Sequence, residues 1–423
     1  MGQKGTYVCF ARGFIYTKKI GGYIDLKVRK SVLFYIVVIL IYLSPSRLAH
    51  CYMPYSSYLF SILQCALGIY WIRKFPSFHK NRIILLLTLF LLSGLPGMIY
   101  VYHFDFLAIG RYFLKIISII GLFQFFCFES DEAKQDFFES SRVVFVVTYV
   151  LTIIYGLNIN EQTAYGEGVF FWGSKAVTTH AFIALFALSA FYDLRYKGKI
   201  SLFTYAEYAL SLMFCFMRTS GQGVTMFLVI ALLFVLNNIY KKQLWEIIPP
   251  PVVIIVLGIL YYVVITMRFQ DIEFVVQYIT GVLSKETTLS GRDAIFSGCL
   301  EIFSHHPWIG YGYDNAIVND ILGQRFMQFN SAHNSMLQIL IDYGTIGMSI
   351  FVLLMYNAFK EMAFTGDHET EMLYIVVIAM FIGGLVNMII PTNYFWMVVL
   401  LGCSEGIIKR FDTQFKVIVN KRQ

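Results

Sequence analysis

The chain has 423 residues, of which 58% are hydrophobic and only 14% are charged, and its mean hydropathy is +0.65. This composition leaves too little polar surface for a water-soluble protein of this length. The net charge of +7 does not indicate nucleic-acid binding, because the Lys and Arg residues fall mainly in short connectors between apolar segments, which is a pattern of membrane topology. The seven cysteines are scattered without a CxxC pair, which argues against a disulfide framework and a structural zinc site.

The apolar residues fall in blocks of about 17 to 22, the length that crosses a hydrocarbon core of roughly 30 Å. Backbone polar groups in such blocks must be satisfied internally, which favours helices. The sequence therefore predicts an all-α integral membrane protein of about twelve transmembrane helices. These are predicted at 31–44, 53–72, 83–101, 106–128, 143–157, 174–192, 201–217, 222–239, 247–267, 333–359, 372–390 and 393–408.

Basic residues alternate between the connectors, and most of them fall on one side of the predicted membrane. The positive-inside rule makes that side cytoplasmic and puts both termini there. The acidic connector 129–142 does not change this assignment, because acidic residues contribute little to the rule. The predicted organisation is a basic cytoplasmic N-terminus (1–30), nine transmembrane helices (31–267), an extracytoplasmic loop (268–332), three further helices (333–408) and a basic cytoplasmic tail (409–423).

The connector 268–332 differs from the others in its length of about 65 residues and in its ordered composition. Two stretches, 292–304 and 316–328, are predicted to form short amphipathic helices, and Ser290 is a candidate cap for the first of them. A long structured loop in a compact protein is usually functional. We therefore expect the active site in this loop and at its flanks.

Two flanking residues have the chemistry of a group-transfer site. His333 is predicted at the amino end of the tenth membrane helix, where backbone N–H groups disfavour a protonated imidazole and a neutral histidine suits a general base. Arg292 suits binding of a pyrophosphate through charge-assisted hydrogen bonds. Two simpler interpretations stay open, an interfacial cap for the histidine and a lipid-headgroup contact for the arginine.

A polar stripe continues from His333 into the predicted tenth helix, on a face turned towards the bundle or a wet cavity. These residues either bind substrate or hold helices together. The stripe consists of Asn334, Gln338, Asp342, Thr345 and Ser349.

The segments SGRDAIFSGCLEIFSHHPWIGYG and NSAHNSMLQILIDYGTIGM together resemble the signature of the O-antigen ligase and O-antigen/capsule polymerase (Wzy-type) superfamily. The resemblance implies a GT-C-like, inverting membrane glycosyltransferase without metal or other cofactor. It would act on polyprenyl-pyrophosphate-linked oligosaccharide at the outer face of the bacterial cytoplasmic membrane, among membrane lipids and often beside a chain-length regulator protein. It also implies that Arg292 binds the pyrophosphate and that His333 activates the acceptor hydroxyl.

One position departs from the family pattern, which commonly has a second arginine before the loop. Gln222 occupies that position here, and Arg218 lies four residues earlier. One helical turn between them would bring Arg218 to the same place, and its alternative is an interfacial anchor. We predict Arg218, Gln222, Asn334 and Gln338 as substrate-binding residues. Arg111 and Lys115, at i and i+4 near the outer end of the fourth helix, either give a third basic contact for pyrophosphate or snorkel to headgroups.

The predicted function is therefore polymerisation of a surface polysaccharide by transfer of lipid-linked glycan onto an incoming lipid-linked repeat unit. The first alternative is a ligase that moves finished glycan to lipid A-core, since it would share the same motifs. The second alternative, from a different class, is a flippase for lipid-linked oligosaccharide. A flippase usually shows internal repeats and broken helices at mid-membrane, and the sequence shows no such repeat.

Overall fold

The computed structural model describes residues 15–20, 23–45, 56–75, 81–101, 105–157, 170–240, 242–282, 292–313, 315–323 and 331–420. These residues are almost all helical. The helices are α1 (Lys30–Leu43), α2 (Ser56–Lys74), α3 (Arg82–Leu92), α4 (Leu95–Tyr100), α5 (Phe106–Phe128), α6 (Asp131–Leu157), α7 (Lys175–Lys197), α8 (Leu202–Met217), α9 (Gly221–Tyr240), α10 (Leu244–Ile247), α11 (Pro250–Ile265), α12 (Glu273–Gln277), α13 (Arg292–His305), α14 (Ser335–Thr365), α15 (His368–Gly383) and α16 (Asn393–Asn420). Before them, strands β1 (Ile15–Ile20) and β2 (Tyr23–Val28) form an antiparallel hairpin that pairs Ile15 with Val28.

A helix lies at each of the twelve predicted positions. Within the described residues, six helical segments are long and apolar enough to cross a membrane, and α1, α8 and α11 are shorter apolar helices. These features indicate a multi-pass integral membrane protein, whereas the number of twelve spans stays a prediction. The six segments are Arg82–Tyr100, Phe106–Phe128, Asp131–Gly156, Lys175–Lys197, Gly221–Tyr240 and Ser335–Thr365.

Several predicted boundaries are wrong. The fifth helix begins at Asp131 rather than at 143, so most of the acidic connector 129–142 is helical. Several of its acidic groups have basic partners: Asp136 pairs with Arg29 at 2.7 Å, and Glu129, just before the helix, pairs with Lys74 at 2.7 Å. Such pairing allows charged residues to extend a helix beyond its apolar part.

Further differences concern the third, ninth and last predicted helices and the N-terminal segment. The third predicted helix is divided into α3 and α4, because Pro96 lies in the first turn of α4 and cannot continue a helix from before it. The ninth is preceded by the separate helix α10. The last helix continues past 408 to Asn420, well into the segment predicted as a cytoplasmic tail. The hairpin likewise lies within the segment predicted as a basic N-terminus.

Helix α7 lies at the centre of the bundle, where every residue from Thr178 to Asp193 is buried. Ala181, Ala184, Ala187 and Ala190 are among them. Small side chains allow neighbouring helices to approach closely, which is how helices associate when lipid removes the hydrophobic driving force. The outer helices show the opposite pattern, with large apolar side chains exposed along α1, α9 and α11, as expected of faces turned to lipid.

The loop between α11 and α14 has a small hydrophobic core of its own. Phe296, Cys299 and Ile302 of α13 pack with Leu337 and Ile341 of α14. The predicted amphipathic helix 292–304 is thereby confirmed as α13, with its apolar face on α14. The second predicted helix, 316–328, is described only as far as Gly323, where it forms a π-helical turn at Asn319–Gly323. The proposed cap Ser290 lies outside the described residues. This packing fixes α13 against the first turns of α14, where the candidate site lies.

Candidate active site

His333 lies immediately before α14, at the amino end of a candidate membrane span, as predicted. Its backbone is left-handed (φ 47°), a conformation that is uncommon for residues other than glycine. The helix is capped by the next residue, since the Asn334 side chain accepts a hydrogen bond from the N–H of Leu337 at 3.0 Å and donates to the carbonyl of Leu385 at 2.9 Å. Asn334 therefore fixes the point at which the chain turns away from the helix at His333.

Arg292, the first residue of α13, lies close enough to His333 to influence its ionisation. Burial, and then the positive charge of Arg292, lower the pKa of His333 to about 4. Burial also lowers the pKa of Arg292 to about 10. Within the part of the chain that the structure describes, no carboxylate pairs with Arg292. Arg292 thus places a half-buried positive charge beside the neutral imidazole of His333, an arrangement suited to an anion.

The polar stripe of α14 holds Ala332, the residue before His333, through a side-chain hydrogen bond. The Gln338 side chain accepts a hydrogen bond from the N–H of Ala332 at 2.9 Å and donates to Asp342 at 2.7 Å. Asn315 of the loop donates to the same Asp342 oxygen at 2.9 Å. The predicted spacing of four residues therefore places Gln338 and Asp342 on one face, and that face contacts the loop. The predicted role of Asn334 and Gln338 in binding substrate stays a prediction.

Helix α14 is broken at Gly344 (φ 65°, ψ −172°), a backbone conformation essentially restricted to glycine. The break removes two helical hydrogen bonds, from residue 345 to residue 341 and from residue 346 to residue 342. Four hydrogen bonds between α14 and the loop segment 307–312, which we call the docking turn, replace these two. The N–H groups of Tyr311 and Gly312 donate to the carbonyls of Ile341 (2.8 Å) and Asp342 (2.9 Å), and those of Thr345 and Ile346 donate to the carbonyls of Pro307 (2.8 Å) and Trp308 (3.2 Å).

The docking turn and the break together explain several glycines of the sequence signature. Gly310 and Gly312 both have positive φ, and a side chain on Gly310 would overlap the backbone of α14 at Ile341 and Asp342. A side chain on Gly312 would likewise overlap Met98 of α4. The glycines of His-Pro-Trp-Ile-Gly-Tyr-Gly and of Asp-Tyr-Gly are needed so that two backbones can meet at hydrogen-bonding distance.

Comparison with known proteins agrees with this arrangement. Residues 208–352 match the family model described as O-Antigen ligase. About a third of the chain, residues 208–352, is therefore similar to the O-antigen ligase family. The matched range contains Arg292, His333, the docking turn and the break in α14. Searches of the curated proteins and of the solved structures found no match. The family assignment indicates a membrane glycosyltransferase-like protein of surface-polysaccharide assembly, of the ligase or polymerase type, in a family of the bacterial inner membrane.

Arg218 and Gln222 lie at the start of the family domain, but no helical turn joins them. Helix α8 ends at Met217 and α9 begins at Gly221, so the assumption that Arg218 lies one helical turn from Gln222 is wrong. Arg218 donates to the carbonyl of Gly156 at 3.0 Å and lies over the ring of Phe170 at 5.1 Å. These contacts turn Arg218 towards the end of α6.

Gln222 instead contacts the turn between α15 and α16. It donates to the carbonyl of Gly383 at 3.1 Å, accepts from Asn387 at 3.0 Å and lies 2.9 Å from Nε2 of His180. The same turn holds the start of α14, because Ser335 donates to the carbonyl of Asn387 at 2.9 Å. Gln222 is therefore linked through Asn387 to the residue two positions after His333, whereas Arg218 is not part of this link.

Sequence reasoning missed Asn315, Ser335 and Asn387. Asn315 follows the Gly-Tyr-Gly-Tyr segment and Asn387 lies just before a proline turn, both of which are ordinary loop positions for asparagine. The importance of the two asparagines follows only from their contacts with Asp342 and Gln222, and that of Ser335 from its contact with Asn387. No local pattern in the sequence distinguishes Asn315 and Asn387 from other loop asparagines.

Proposed function

We propose that the protein polymerises a surface polysaccharide. It transfers a growing glycan from its polyprenyl-pyrophosphate carrier to the terminal sugar of an incoming lipid-linked repeat unit. The observation that carries the proposal is the proximity of Arg292, which no carboxylate pairs among the described residues, to a neutral His333 within the family domain. The proposal includes a GT-C-like bundle of about twelve spans, with both termini in the cytoplasm and the site on the outer face, and a chain-length regulator as a partner.

In the proposed step, His333 takes the proton from the acceptor hydroxyl and the hydroxyl oxygen bonds to the anomeric carbon of the donor. The bond between that carbon and the pyrophosphate oxygen breaks, and the lipid pyrophosphate leaves with the electron pair. Arg292 stabilises the charge that develops on the leaving group. The displacement inverts the anomeric centre and uses no metal. The proposed binding residues for the pyrophosphate and the sugars are Arg218, Gln222, Asn334 and Gln338.

A low pKa of His333 before substrate binds is compatible with its role as a base. At neutral pH the ring is neutral and can accept a proton. Binding of an anionic pyrophosphate would offset the charge of Arg292 and raise the pKa of His333, which increases its strength as a base in the bound complex. Substrate binding would therefore activate the base at the moment when it is needed.

This arrangement predicts an unusual pH dependence. Because the pKa of His333 is lowered from 6.5 to about 4, kcat/KM should stay constant as the pH falls through 6.5 and decline only as it approaches 4. Arg292→Gln removes a positive charge beside the ring, so its residual activity should decline at a higher pH. Glycan transfer by the reconstituted protein at a series of pH values, with helicity measured at each pH, tests this. A wild-type decline centred at 6.5 would contradict it.

The ligase is the second candidate, and the description of the matching family as O-Antigen ligase favours it. Cells lacking the gene distinguish the two by the glycan on the surface and on the lipid carrier. We expect single repeat units on their usual acceptor and no ladder of longer chains. Long polymer that accumulates on the carrier would establish a ligase instead. Repeat units retained on the cytoplasmic leaflet would establish a flippase and exclude both enzymes.

A further inference from the structure

The turn between α15 and α16, residues 384–392, contacts the start of α14 through the side chain of Ser335. The Ser335 hydroxyl donates to the carbonyl of Asn387 at 2.9 Å. It also accepts from the N–H groups of Ile389 at 3.1 Å and Ile390 at 3.2 Å. A hydroxyl has one donor and two acceptor positions, so all of its hydrogen-bonding capacity is used here. Because Ser335 is fully buried, alanine at this position would remove a partner from three backbone groups of the turn at once.

The chain is held on both sides of His333. After it, the N–H of Ser335 donates to the carbonyl of Gly384 at 2.8 Å, and the side chain of Asn334 donates to the same turn. Before it, the N–H of Ala332 donates to a side chain of α14. Left-handed backbone at a residue other than glycine persists only where the surrounding structure fixes it. These bonds supply that constraint at His333 (φ 47°) and thereby set the direction in which its imidazole leaves the chain.

The turn is itself held by side chains from two other helices. Asn387 donates to the side-chain oxygen of Gln222 on α9 at 3.0 Å, and the amide nitrogen of Gln222 donates to the carbonyl of Gly383, at the end of α15, at 3.1 Å. One side chain thus joins the two ends of this segment. On α11, the hydroxyl of Tyr261 donates to the carbonyl of Phe381 at 2.8 Å. The support for the start of α14 is therefore anchored to α9 and α11 and does not depend on the turn alone.

We propose that Ser335 and Asn387 are positioning residues for His333. The inference rests on the proposed function, in which His333 takes the proton of the acceptor hydroxyl. Ser335 fixes the backbone two residues after His333. Asn387 presents the carbonyl that Ser335 binds, in an orientation that its bond to Gln222 maintains. A misplacement of about 1 Å at a reacting group can lower a rate about 10²-fold, so the loss of either side chain should slow the chemical step.

The experiment measures chain extension by the purified full-length protein in proteoliposomes, with lipid-linked repeat units extracted from cells that lack the gene. In Ser335→Ala and in Asn387→Ala we expect kcat per folded molecule to fall about tenfold to a hundredfold. The affinity for farnesyl pyrophosphate should stay unchanged, because Arg292 lies on α13 and keeps its place. The double variant should be no slower than Ser335→Ala alone, because both side chains act through one hydrogen bond.

Ser404→Ala and Asn357→Ala are the matched controls. Both residues are buried, and each side chain donates to a carbonyl of its own helix, α16 for Ser404 and α14 for Asn357. Neither bond connects the turn to the start of α14, so kcat should stay at the wild-type value in both.

The outcomes separate this inference from the proposed function. Wild-type kcat in either folded variant, while His333→Asn is inactive, would overturn the inference and leave the proposed function in place. An equal fall in kcat and in farnesyl pyrophosphate affinity would assign a purely structural role to the two side chains and also overturn it. Normal chain extension by His333→Asn would contradict both proposals. Thermal unfolding gives the folded fraction of each variant, and if Ser335→Ala does not fold, Asn387→Ala decides the question alone.

Discussion

Replacement of His333 by alanine should reduce glycan transfer by about 10²- to 10⁴-fold, the usual contribution of a general base. Without the imidazole, the acceptor hydroxyl has no group placed to take its proton, while Arg292 remains to hold the donor. Binding of farnesyl pyrophosphate should therefore persist although transfer is lost. The measurement is the rate of chain extension by the reconstituted protein, together with glycan length in complemented cells.

The left-handed backbone at His333 requires a second variant. Histidine is found in left-handed backbone more often than most residues, so His333→Ala at φ 47° can also weaken the local fold. Asparagine accepts left-handed backbone more readily but cannot act as the base, so His333→Asn should be folded and inactive. His305→Ala is the matched control, since His305 ends α13 in an exposed position. Normal chain extension by His333→Asn would remove His333 from the chemistry.

Replacement of Gly344 by alanine should destabilise the protein by about 3 kcal/mol or more, because a strained backbone and a steric overlap add together. A Cβ at this position would overlap the carbonyl of Trp308 in the docking turn. In the variant, the docking turn should therefore detach from α14, and transfer activity should be lost. Thermal unfolding in detergent and protease cleavage of the loop 268–332 measure the two effects.

Gly258→Ala is the control for this prediction. Gly258 lies within α11, and a Cβ there would meet no described atom within 4 Å, so alanine should be neutral or slightly stabilising through its higher helix propensity. If Gly344→Ala unfolded at the wild-type temperature with an intact loop, the four hydrogen bonds at the break would not hold the docking turn in place.

The sequence predicts the positions of the helices well, because the length of an apolar segment and the need to satisfy its backbone are local properties. It does not predict that α6 begins at Asp131. The partners of the acidic residues there, Arg29 and Lys74, come from distant parts of the chain. The division of α3 from α4 depends on Pro96, a signal that is present in the sequence but weak inside an apolar run.

The residues of the candidate site were easier to predict from the sequence than their positions relative to one another. The order of the Arg292 and His333 motifs indicated a family, whereas the closeness of these two side chains depends on the packing of α13 against α14. The helical turn assumed between Arg218 and Gln222 does not exist, because α8 ends before Arg218. The role of Gly344 could not be predicted either, since a glycine within an apolar helix is usually tolerated without breaking it.

The exchange of hydrogen bonds at Gly344 also has a consequence for biogenesis. In the broken form of α14, the carbonyls of Ile341 and Asp342 and the N–H groups of Thr345 and Ile346 have their hydrogen-bond partners in the docking turn. Such groups are costly to hold in lipid. The segment of α14 around Gly344 can therefore reach its final form only after the loop has folded against it. The final form of this helix thus depends on the folding of a loop that precedes it in the chain.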